Sequence, residues 1–164
     1  HMLWESAAIL RYLADGTPLV PSDARARARA DAILDSTKRF VMPVDATVNI
    51  RQGNRFEEEK AEALKKMPEM LAPFLRELEQ SGGPFFLGAS PTICDFAFFH
   101  HLDMMLHLNT TLCDQHSTLG NFQRSMMALP GVDEYLSSRP PLTGVGTDPH
   151  IKINGIPTPT MAGR

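Results

Sequence analysis

Apolar and small residues recur at steps of three and four along most of the chain, and each such stretch predicts an amphipathic helix. The first is "ESAAILRYL", Glu5 to Leu13, which begins almost at once. The run Val20-Pro21-Ser22-Asp23 breaks the pattern. Pro21 resists helix continuation, and Ser22 or Asp23 can accept the first free N–H groups of a new helix. That helix carries the stripe Ala30, Leu34, Thr37, Val41, Val44 and Val48, with Pro43 inside it. Pro43 is expected to bend it near Arg39, whose carbonyl loses its partner. Gly53 and Asn54 in "RQGNR" tolerate the left-handed conformation and are expected to cap its C-terminus. A second long stripe follows at Leu64, Met67, Leu71, Phe74 and Leu78, with Glu57, Glu58 and Glu59 near its positive end. Two long helices joined by a short polar turn pack antiparallel.

The stretch "SGGPFFLGASPT" is irregular, with Phe85, Phe86 and Leu87 as an apolar plug. Beyond it Phe96, Phe99, Leu102 and Leu106 mark a third main helix, and Leu119, Phe122, Met126 and Leu129 a fourth that Pro130 stops. Val132 to Leu136 allow a short fifth. No stretch alternates clearly enough to predict a strand, so the expected class is all-α, a bundle of about five to six helices. From Arg139 the helical stripe is gone and five of the 13 prolines gather. This end is expected either as an extended arm over the body or as a disordered tail; Ile151, Ile153 and Ile156 make it more apolar than most free tails.

Composition narrows the class. The 164 residues favour one domain, and 43% hydrophobic with 21% charged residues is an ordinary globular balance. A formal net charge of -3 without a dense basic block argues against nucleic acid or anionic lipid as partner. No apolar run approaches the roughly 20 residues of a membrane span. Cys94 and Cys113 form no framework or zinc pattern, which fits a cytoplasmic, reducing setting. His1-Met2 has the look of a cleaved tag and is set aside.

"TICD", Thr92 to Asp95, is the sharpest local signal. Thr92 can accept from the Asp95 N–H while the Asp95 carboxylate reaches back to the Thr92 N–H, a capping box with Asp in place of Glu. His100, Asp103 and His107 share a helix face and are ligand types, but no fourth ligand is suggested and no metal is expected. Neither a G-x-S-x-G elbow nor a phosphate-cradling Gly loop is present.

At "FFLGASPTICDFAFFHHLD" the chain resembles the segment that opens the central helix of the C-terminal domain in the cytosolic glutathione transferase superfamily, with Cys94 where Ala is usual. "LWESAAILRYLA" resembles the last helix of that family's thioredoxin-like domain, "ARARADAIL" the start of the first C-domain helix, and "LPGVDEYLSSRP" a late segment. The four occur in family order, with a theta-like or delta-like flavour. The implied organisation is a tag remnant at 1–2, the last thioredoxin-domain helix at 3–15, a linker at 16–22, the helical domain at 23–138 and the arm at 139–164.

The resemblance also implies roles. Glu5 and Ser6 match the acidic-Ser pair that binds the γ-glutamyl end of glutathione, and Asp31 a carboxylate reaching the glutathione of a dimer partner. The chemistry suits them: a Ser hydroxyl at a free helix N-terminus fits an α-carboxylate, and a Glu fits an α-ammonium. Read from the residues alone, Glu5-Ser6 caps its helix, Asp31 pairs with Arg27 and Asp35 with Arg39. Phe40, Val41 and Val44 would face the cleft for a hydrophobic second substrate, which the arm could cover; core packing explains them equally.

The family's thiol-activating Tyr, Ser or Cys and its cis-Pro loop precede the helix that "ESAAILRYL" resembles. The chain alone is therefore expected to be inactive, the C-terminal part of a homodimeric transferase that uses glutathione as co-substrate and holds no resident cofactor. The alternative is a non-catalytic interaction module, as the same domain forms in translation factors and synthetase complexes. Deprived of a thioredoxin-like sheet, Ala7, Ile9, Leu10 and Leu13 would lack their partner. The helix is expected to be displaced, to bury that face on another copy, or to hold to the body through Trp4 and Leu13.

Overall fold

Each three-and-four stripe closes into a helix in the computed structural model, which describes residues 2–160. His1 of the expected tag remnant and residues 161–164 of the expected arm lie outside the described residues. In chain order the helices are α1 (Ser6–Ala14), α2 (Ala24–Asn49), α3 (Gly53–Gln80), α4 (Ile93–Leu106), α5 (Leu112–Gln115), α6 (Ser117–Met127) and α7 (Val132–Ser138). The single turn of α5 is the one not foreseen.

Asp23 rather than Ser22 starts α2, its carboxylate accepting from the Ala26 N–H at 2.7 Å. The helix runs unbroken through Pro43 and ends at Asn49, with Ile50 as C-cap. Gly53, expected to cap α2, instead opens α3 at φ 55°. Both long helices bury their expected stripes, apart from Val41 and Leu64, which are half-buried. Thr37 and Thr47 sit in the apolar stripe of α2 because their hydroxyls donate to the carbonyls of Leu34 and Pro43 one turn back.

The centre is α4, which packs on α1, α2 and α6 and is buried on several sides. Phe98 on α4 meets Phe40 of α2 at 5.4 Å, Phe74 of α3 at 4.8 Å, Phe122 of α6 at 5.4 Å and Phe86 of the irregular stretch at 5.1 Å. Five rings from five segments thus join into one cluster in edge and offset contacts, the arrangements that aromatic quadrupoles favour.

The expectation of no strand fails at the C-terminal end. Here β1 (Leu142–Thr143), β2 (His150–Ile153) and β3 (Ile156–Pro159) form a three-stranded antiparallel sheet. Asn154 and Gly155 at φ 52° and 79° make the tight turn between β2 and β3. Positive φ at both central residues matches the twist of a hairpin, and Asn-Gly is the pair that adopts it most readily. Pro157 and Pro159 pair with Lys152 and His150. Counted outward from a two-residue turn, these are the non-hydrogen-bonded pairs, so the prolines cost the ladder no donor.

The sheet is fastened to the turn between α2 and α3. The Gly53 N–H donates to the Gly146 carbonyl at 2.9 Å, and the Thr160 hydroxyl donates to the Asn49 carbonyl at the end of α2. Groups that helix ends leave without partners are satisfied there by the arm.

Candidate functional site

The residues matched to glutathione binding lie on α1 and on the face of α2 beside it. Ala7, Leu10, Arg11 and Ala14 point from α1 toward the body at i, i+3, i+4 and i+7, with Ala7 and Ala14 buried and Leu10 packed on the core. The opposite side stays open: Trp4 is 73% exposed, Tyr12 73% and Leu13 69%, with Leu3 and Ile9 also exposed. Attachment through Trp4 and Leu13 is therefore corrected, because the small Ala7 and Ala14 allow a closer approach to α4 than those bulky side chains do. Of the four residues expected to lack a partner, Ala7 and Leu10 have one and Ile9 and Leu13 do not.

Glu5 is the N-cap of α1 at φ 72°, ψ 115°, and its side chain makes no cap hydrogen bond. Positive φ in a residue with a Cβ costs about 1–3 kcal/mol and collects at ligand sites. Its carboxylate meets Lys38 of α2 at 3.0 Å, and Ser6 stands exposed as the first helical residue. Simple capping by Glu5 is thereby set aside.

Asp31 and Asp35 are both taken by Arg11, whose Nε donates to Asp31 Oδ1 at 2.6 Å and whose Nη2 donates to Asp35 Oδ1 at 2.9 Å. The local pairs with Arg27 and Arg39 do not form: Arg27 donates instead to the Pro21 and Ser22 carbonyls. These contacts run α1 antiparallel to α2, with Glu5 opposite Lys38 and Arg11 opposite Asp35 and Asp31. Asp31 remains 39% exposed.

Phe40, Val41 and Val44 do not share a cleft. Val44 is fully buried and Val41 packs half-buried against the core. Phe40, only 3% exposed, touches the floor of a groove of about 790 Å³ between α2 and α3. Ile33, Pro43, Met70, Pro73 and Phe74 complete the floor, and Arg29, Arg39, Lys66, Glu69, Arg76 and Glu77 form the rim.

At the start of α4 the capping box of Thr92 and Asp95 is present. Asp95 does more than the box requires. Its Oδ2 accepts from the Thr92 N–H at 2.8 Å and from the Thr92 hydroxyl at 3.0 Å, and its Oδ1 accepts from the Phe86 N–H at 2.9 Å. Burial holds the Asp95 carboxyl above the usual carboxylate range, and these donors offset only part of that rise. Burial, with Asp95 alongside, pushes the Cys94 thiol up to about 12, so it stays protonated and unreactive.

Asp103, one of the three ligand-type residues on α4, accepts from Arg139 Nη2 at 2.8 Å. Among the described residues no group of three or more His, Cys, Asp or Glu is placed to hold a metal ion. No helix among them is long and apolar enough to cross a membrane.

Sequence reasoning missed Arg11 and Lys38, because both act between helices at separations of 20 and more residues. The Asn-Gly hairpin did have a local signal, an NG dipeptide between apolar Ile residues.

Comparison with known proteins agrees with this arrangement. Residues 44–139, more than half of the chain, match the family model "Glutathione S-transferase, C-terminal domain". The chain is 30% identical over 146 residues to the glutathione S-transferase class-mu 26 kDa isozyme 1 of Fasciola hepatica, covering 83% of this chain and 59% of the relative. It is 31% identical over 140 residues to glutathione S-transferase Mu 1 of Oryctolagus cuniculus, covering 84% and 61%. Among solved structures, the Pi-class glutathione S-transferase of Onchocerca volvulus aligns with a TM-score of 0.75 at 25% identity, covering 85% of this chain and 66% of that one. The chain thus spans about three fifths of the length of these curated relatives. Their mu-class names replace the theta-like or delta-like flavour expected above. The match over residues 44–139 places the chain in the glutathione S-transferase family, through that family's C-terminal domain.

Proposed function

We propose that this chain is the C-terminal part of a cytoplasmic glutathione transferase that joins the glutathione thiolate to hydrophobic electrophiles. The observation that carries the reading is the Glu5-Ser6 corner. A helix N-terminus left without a side-chain cap, a strained residue before it and an exposed Ser together suit the α-carboxylate and α-ammonium of a γ-glutamyl group. Glu5 then exchanges Lys38 for the ligand ammonium. Asp31, which keeps an exposed edge beside Arg11, is proposed to reach the glutathione of a partner subunit. Val41 is the expected cleft residue that retains surface for the electrophile.

The groove between α2 and α3 supports a homodimer, since its apolar floor and rim of both charge signs fit an apolar side chain flanked by charged groups of both signs. A thiol-activating residue and a backbone clamp for glutathione belong, on this reading, to a thioredoxin-like half seated on the open side of α1. The apolar outer face of α1 equally favours a second reading, a non-catalytic interaction module of a larger assembly.

Calorimetric titration of the chain with glutathione tests the division of labour. Half a site predicts a Kd weaker than about 1 mM and no transfer to a chlorinated dinitrobenzene. Tighter binding or turnover by this chain would show that Glu5-Ser6 is not half of a larger site.

A further inference from the structure

A buried atom without a partner lies beside α1. His101 Nδ1, on α4, is enclosed and makes no hydrogen bond among the described residues. Its ring lines a cavity of about 270 Å³ in the seam where α1, α2 and α4 meet, walled also by Ser6 and Ala7 of α1, Thr37 and Lys38 of α2, and His100. Such a nitrogen is tolerable while the imidazole is neutral. A protonated ring would need an acceptor at that position.

No acid along the seam is free to supply one. Along the seam α1 brings Glu5 and Arg11, α2 brings Asp31, Asp35 and Lys38, and α4 brings His100, while Tyr12 of α1 is exposed and Asp103 of α4 is held by Arg139. Glu5 is held by Lys38 at 3.0 Å, and Asp31 and Asp35 by Arg11 at 2.6 and 2.9 Å. The His100 ring stands 5.3 Å from that of His101. The Thr37 hydroxyl donates to the Leu34 carbonyl and makes no hydrogen bond to His101 Nδ1. Along this seam α1 is anchored by little: two alanines, part of Leu10 and half-exposed ion pairs.

We propose that His101 is a proton-operated latch on α1: with a neutral imidazole the seam between α1 and α4 stays closed, and when the ring takes up a proton α1 lifts away from α4. Burial, with His100 alongside, lowers the closed-state pKa to about 4, whereas a freed ring returns toward 6.5. The sign follows: between those values the open state binds more protons, so acidification favours opening. Because α1 carries Glu5 and Ser6, the pair proposed for glutathione would move with it; this consequence rests on the functional reading, while the latch does not.

Hydrogen exchange of the α1 amides, corrected for the intrinsic effect of pH, tests the latch on the full chain. Protection is expected to fall by roughly thirtyfold between about pH 7.5 and about pH 5 in the wild type. In His101→Gln it should fall by less than about threefold. An equal fall in His101→Gln, or none in the wild type, overturns the proposal. Should the variant fold poorly, NMR of the wild type decides: α1 amide exchange that rises in step with protonation of the His101 imidazole supports the latch, and α1 exchange that does not follow it overturns the proposal.

Discussion

Asp95 holds two segments at once, the first turn of α4 and the plug at Phe86. Replacing it by Ala removes three accepted hydrogen bonds and leaves the Thr92 and Phe86 N–H groups buried without partners. Each of the two orphaned N–H donors costs about 1–3 kcal/mol, so Asp95→Ala should lower the unfolding free energy by about 2–6 kcal/mol in urea titration. Glu59 is a second residue whose charge is set by its neighbours. Burial pushes its carboxyl up, but Arg51 Nε at 2.8 Å and Arg55 Nε at 3.1 Å more than offset this and hold it below 4.5. Stability from Glu59 is therefore complete above 4.5 and disappears as pH falls through the lowered folded value. Acid titration of Glu59→Gln should show a shallower loss of stability below that point than the wild type.

At the scale of elements, the docking of the small sheet depends on a glycine. Gly146 sits at φ 82°, and a Cβ built there would lie 2.7 Å from Cδ1 and Cε1 of the Phe56 ring. Phe56 is buried at the start of α3, so the ring has little room to yield. Gly146→Ala combines the left-handed penalty with overpacking, about 2–3 kcal/mol together, and should release the sheet before it disturbs the helices. Faster amide exchange over 142–159 with unchanged exchange in α4 is the expected outcome. The stripes of α2 and α3 were readable because a single amphipathic period decides them. The sheet was not, because its β1 strand has two residues and its stability comes from Phe56, Asn49 and Gly53, far away in the chain. The Asn154-Gly155 turn carries the one local signal of the sheet, set within a proline-rich stretch.

For the whole molecule, the five-ring cluster and the capping box account for the helical body, and the four family-like segments pointed to it from sequence. What sequence could not supply was the facing of each helix. Val44 and Phe40 lie four residues apart on α2, yet one is sealed in the core while the other also touches a surface groove. Arg11 takes Asp31 and Asp35 although nearer partners were available, because α1 folds back across α2 and brings a two-donor fork to both. The candidate site is in consequence a corner rather than a pocket: a strained Glu5, an uncapped helix start and an apolar α1 face turned outward.

On the proposed function, this corner holds the γ-glutamyl end of glutathione. Steady-state conjugation by the protein from the complete open reading frame, wild type beside Glu5→Ala, tests it most directly. Loss of a charge-assisted contact of about 1.5–3 kcal/mol predicts a KM for glutathione raised by roughly ten- to a hundredfold, with kcat changed by less than about threefold. An unchanged KM would contradict the assignment.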